Sequence, residues 1–122
     1  MGRVILFTTV LASASPLLAH HAWPVDRTRQ VTITGTVTAF TWADPHVMIA
    51  LDVEAAGTIE KWKLGGSNKK YMSAGGWAPD TLKPGDVITG TGYRYSDGSN
   101  VIELRKIVMA NGKELYYGSV GR

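Results

Sequence analysis

The chain contains no cysteine in 122 residues. That absence excludes disulfides, thiolate metal centres, iron–sulfur clusters, haem attachment through Cys, a Cys nucleophile and a lipidated N-terminal Cys. Histidine is scarce at three residues, and phenylalanine at two. The formal charge of +3 is weak and dispersed, not the clustered basic footprint of a nucleic-acid binder. There is no His-Glu-x-x-His and no nucleophile-elbow pattern, so no catalytic constellation is found and a non-enzyme is expected. What is there is a 44% hydrophobic fraction with four Trp, enough to pack one core and too much for a disordered chain.

Arg3 is the first charge, and Asp26 is the next. Between them Val4–Leu11 is a short apolar run, followed by small residues at Ala12–Ser15 and by Pro16-Leu17-Leu18-Ala19. A basic start, a short apolar region and a small-residue zone are the pattern of a secretory signal. The run falls short of the roughly 20 apolar residues of a membrane span. The expected division is a signal over 1–19, an N-terminal segment over 20–30 and a domain over 31–122, with the mature protein periplasmic or secreted. Cleavage after Ala14 and cleavage after Ala19 both fit the small-residue rule, and only the second makes His20 the free N-terminus.

Residues 31–39 alternate strictly, with Val31, Ile33, Val37 and Ala39 on one face and four Thr on the other. This is a half-buried strand. Phe40 and Trp42 fall on the Thr face, so either the strand twists into cover there or a bulge shifts its phase. Asp44-Pro45 breaks the strand, and further strands are expected over 46–53, 59–64, 87–95 and 101–109. A short helix is expected over 68–74, capped by Ser67 or Asn68 and stopped by Gly75-Gly76. Asn111-Gly112 marks a tight hairpin into 115–117. Three strands, a helix and two strands are the order of a small five-stranded Greek-key barrel of the oligonucleotide/oligosaccharide-binding (OB) type, here with a C-terminal hairpin extension. The fold class is all-β with one short helix, and a plain β-sandwich is the rival.

Several motifs occur in series: His20-His21-Ala22-Trp23, Trp42-Ala43-Asp44-Pro45-His46, Gly65-Gly66-Ser67-Asn68, Gly75-Gly76-Trp77, Lys83-Pro84-Gly85-Asp86, Thr91-Gly92-Tyr93 and Asp97-Gly98-Ser99. The series resembles a family of small exported bacterial proteins of unknown function, over nearly the whole mature chain. The resemblance implies no activity. Two positions depart from it: Asp44 stands where members tend to have Asn, and the Gly-Ser-Asn loop lacks their Pro.

Two candidate sites follow. An N-terminal His20 offers its α-amine and an imidazole nitrogen to one metal, and His21 and His46 add further nitrogens, a set suited to copper or zinc. Met48 lies two residues beyond His46 on the same strand face, and a thioether beside an imidazole suits Cu(I). The bland alternatives are a tail that touches nothing, a His46 that only holds its turn, and a Met48 that fills space. The second candidate is a ligand face of Trp42, Tyr93 and Tyr95, with Trp62 and Trp77 assigned to the core. An unidentified small ligand or a periplasmic protein is the expected partner.

Overall fold

In the computed structural model, Gly2 and residues 23–117 are described. The expected signal segment (Gly2 apart), His20 and His21 lie outside the described residues. Within them the chain forms β1 (Val25–Thr41), β2 (Met48–Ala55), β3 (Thr58–Gly65), α1 (Lys69–Ala74), β4 (Val87–Tyr95), β5 (Val101–Met109) and β6 (Glu114–Tyr116). The strands run β3-β2-β1-β4-β5-β6, and β3 also pairs with β5. That pairing closes a five-strand ring and leaves β6 as an arm beside β5. This is the expected Greek-key barrel with its hairpin extension. All pairs are antiparallel except β3–β5, which is parallel over Lys63–Gly65 and Val101–Glu103.

β1 begins at Val25, earlier than the alternation predicts. Val25 pairs with Tyr95 and Gln30 with Tyr93, so four residues, 26–29, bulge out against Arg94 alone. A second register shift lies between Val37 and Ala39. It reverses the phase as a bulge must: Val37 is buried and Ala39 exposed, while Phe40 and Trp42 pack against the core. Ala39 therefore leaves the inward face to which strict alternation assigns it.

The barrel interior is filled by aliphatic side chains, among them Ile49, Leu51, Leu64, Ile88, Leu104 and Ile107, each no more than 1% exposed. Each such burial stabilises by about 1.5–3 kcal/mol relative to exposure, and packing of this kind replaces the missing disulfides. Trp62 and Trp77 are core residues as expected, at 7% and 2% exposed. α1 has only six residues, too few to hold itself in water. Its end is tied down twice: Asn68 Oδ1 accepts from the Tyr71 amide at 2.8 Å, and Asp44 Oδ1 accepts from the Lys69 amide at 2.9 Å. Met72, fully buried, anchors it to the core.

Gly92 sits at the register shift in β4, where a Cβ would collide with the backbone carbonyl of Glu103. Since the obstacle is backbone, no rotamer change relieves it. Gly92→Ala is expected to cost about 3 kcal/mol, the upper part of the overpacking range, read as a lower urea midpoint at unchanged slope. A midpoint equal to the parent's refutes the assignment.

Candidate functional site

The β1–β2 loop carries a cis Asp44–Pro45 bond and presents His46 outward. Val47 is bonded into the segment before α1: its amide donates to Ser67 O at 2.8 Å, and its carbonyl accepts from Gly66 N at 2.7 Å. The neighbouring His46 ring lies with Nδ1 3.1 Å from the Gly66 carbonyl. A carbonyl only accepts, so Nδ1 carries the proton in this bond, and in the neutral ring the lone pair is on Nε2.

Trp23 covers the adjacent ground. Its ring centroid is 4.6 Å from that of His46 and 5.8 Å from that of Tyr95. The indole fits there because position 65 is glycine: a Cβ on Gly65 would stand 2.6 Å from Trp23 Cη2. The backbone next to Trp23 is held as well. Val25 N donates to Trp23 O, and Ser96 N donates to Pro24 O, both at 2.8 Å.

Tyr93 and Tyr95 share one face of β4. The guanidinium of Arg27 lies 5.6 Å from the Tyr93 centroid and that of Arg105 5.9 Å. Arg27 comes from the β1 bulge and forks onto Glu103, at 2.9 Å to Oε1 and 2.8 Å to Oε2. Glu103 is 3% exposed, and a carboxylate that deep needs such a partner. Arg105 approaches it at 3.6 Å and lies 5.0 Å from the Tyr117 centroid, and Tyr117 meets Tyr71 of α1 at 5.6 Å. The bonds that Arg27 donates to Glu103 hold its guanidinium above its ordinary pKa. Burial pushes the Tyr95 phenol above its usual value of 10.0, helped by the charges of Asp97 and Glu103. Burial does the same for Tyr117.

The sequence-derived candidates thus separate. His46 and Tyr95 meet through Trp23, and Tyr93 continues the strip. Trp42 lies elsewhere, 6.0 Å from Phe40, which is 6.3 Å from the buried Trp77. Met48 faces outward on β2, opposite Gly65. An open groove lined by Thr41, Met48, Ile49, Ala50 and Lys63 runs past it. Among the described residues no three His, Asp or Glu side chains form a metal-holding group, and His20 and His21 lie outside those residues. No helix among the described residues is long and apolar enough to cross a membrane. Arg27, Glu103 and Arg105 were not legible as partners. The one hint is an acidic residue flanked by apolar Ile102 and Leu104 in a strand.

A family model described as a family of unknown function, DUF6152, matches residues 8–102. The chain belongs to this family. No curated protein matches it. The DUF6152 match takes in Trp23, His46, Gly65, Tyr93 and Tyr95 and stops one residue before Glu103.

Removing the Arg27 side chain leaves Glu103 buried without its fork. Because the Arg27 side chain is itself 53% exposed, Arg27→Ala is expected to cost about 1–3 kcal/mol, below the range for a fully buried pair. Glu103→Gln added to it should recover part of the loss in a urea double-mutant cycle. Strict additivity of the two changes counts against the pairing.

Proposed function

We propose that the protein is an exported, non-catalytic binding module, and that its ligand face is the strip of His46, Trp23, Tyr95 and Tyr93. The observation that carries this reading is the Trp23 indole, seated in the Gly65 notch between His46 and Tyr95. Fixed aromatic rings flanked by guanidinium groups suit the faces of sugar rings or the side chains of a peptide. The weak positive charge argues against nucleic acid. The signal-like segment before His20 supports export to the periplasm or beyond. The test is an array of oligosaccharides and peptides probed with the mature chain in the presence of a chelator. Binding that weakens at least about fivefold in Tyr95→Ala is expected, since loss of a stacked ring is worth about 1–3 kcal/mol. No binding, or binding indifferent to Tyr95→Ala, overturns the reading.

A second reading is copper or zinc held by His20, His21 and His46. One observation favours it: His21 precedes Trp23 by two residues, and Trp23 packs on His46. Cleavage after Ala19 would add the α-amine of His20, completing a nitrogen set suited to Cu(II). Titration of the host-processed chain with Cu(II), with intact mass on the same sample, should give one equivalent that is lost in acid, since the ligands must be deprotonated to bind. The His46→Ala variant should lose it. A chain processed after Ala14, or one that binds no copper, removes the reading.

A further inference from the structure

We propose that His46 and Met48, beneath the Trp23 indole, form a site for a soft monovalent metal ion, Cu(I). This site shares His46 with both readings above and Trp23 with the first, but needs neither His20 nor His21.

Three groups gather around the Gly65-Gly66 step: Trp23 over Gly65, His46 bonded to Gly66, and Met48 across the ladder from Gly65. On β2, Ile49 and Leu51 point into the core while Met48 and Ala50 face out, and His46 is exposed just before the strand. β2 begins at Met48, two residues later than the expected start at His46, yet Val47 between them is buried at 1% exposure, so its two neighbours lie on the outer side. Across the ladder Met48 pairs with Gly65, and the His46 ring is bonded to the next residue, Gly66. Directly opposite side chains in antiparallel strands stand about 5 Å apart at Cβ. Gly65 has no side chain, and the Trp23 indole occupies that place instead. Met48 is thereby paired with the residue that the indole covers, and the indole centroid lies 4.6 Å from that of His46.

The chemistry of the trio is selective. His46 Nδ1 is committed to Gly66 O, so Nε2 is the donor on offer. A carbonyl bond on the far ring nitrogen is the usual way a ligating imidazole is oriented. With no cysteine in the chain, thioether sulfur is the available soft donor. Met72 is fully buried and Met109 packs against the core, whereas the groove beside Met48 is open to solvent. A thioether selects Cu(I), and an imidazole serves copper in either state. The indole face attracts a cation that two neutral ligands leave fully charged. Zinc, which favours thiolate, imidazole and carboxylate, gains nothing from the sulfur.

The test is an anaerobic titration of the mature chain carrying His20→Ala and His21→Ala, with Cu(I) supplied from a chromophoric competing chelator. One equivalent should bind and quench tryptophan fluorescence. Met48→Leu, which nearly conserves volume, should weaken binding at least about tenfold, and His46→Gln likewise. Redox-inert Ag(I) gives a second measurement on the unaltered chain: the 13C-labelled methyl resonance of Met48 should move while that of Met72 stays. Cu(I) affinity unchanged in Met48→Leu, or a Met48 methyl that ignores Ag(I), overturns the proposal. A Cu(II) site at the tail keeps its affinity in Met48→Leu, and saccharide or peptide binding persists under chelator, so failure here leaves those readings distinguishable.

Discussion

Three residues of β3 lie parallel to three of β5, and this short seam is the constraint on which the rest of the molecule depends. It closes the sheet into a ring, so that Leu64, Ile102 and Leu104 reach the interior without leaving an edge. Parallel pairing is slightly weaker per residue than antiparallel, and three residues of it could not hold by hydrogen bonding alone. The interior packs behind it. The amide of Lys63 also donates to Asn100 O at 3.0 Å, extending the seam into the β4–β5 loop. Because the barrel has no disulfide, seam and core stand or fall together.

The seam also fixes the outer surface. Gly65 pairs with Glu103, and Glu103 pairs with Tyr93 on its other side. Three neighbouring positions thus offer a notch, a buried carboxylate and a ring. The N-terminal arm uses all three: Trp23 fills the notch, Arg27 forks onto the carboxylate, and the same guanidinium lies against the ring. The four-residue bulge in β1 makes this possible. A regular strand would send residue 27 along the β4 ladder, while the bulge frees it to cross toward β5. The arm is thereby part of the surface rather than a lead-in to the barrel.

Much of the barrel was legible in the sequence. Strand alternation, the Asn68 cap, the Gly75-Gly76 stop and the Asn111-Gly112 hairpin are local signals, and local chemistry decides them. The phase change at Phe40 was legible as a choice, and the bulge at Thr38 settled it, because a bulge rather than a twist turns both Phe40 and Trp42 inward. The surface was legible only in part. His46 could be named from its turn and Tyr95 from its strand. That Trp23 joins them depends on the absence of a side chain at position 65, forty-two residues away in sequence, and Arg27 and Glu103 meet across 76 positions. Nothing periodic announces such pairs. Trp42 was grouped with Tyr93 and Tyr95 by type, but the bulge that turns it to the core is what separates it from them.

The readings proposed for this surface share one physical property, which is rigidity at His46. An exposed imidazole normally samples several rotamers, and fixing it on binding costs on the order of 0.5–1.5 kcal/mol. Here the ring is held beforehand by the Gly66 carbonyl on one nitrogen and by the indole at its side. The indole is held in turn by the glycine notch and by the backbone bonds of its neighbours. Whatever approaches Nε2, a metal ion or a polar group of an organic ligand, meets a donor whose direction is already set.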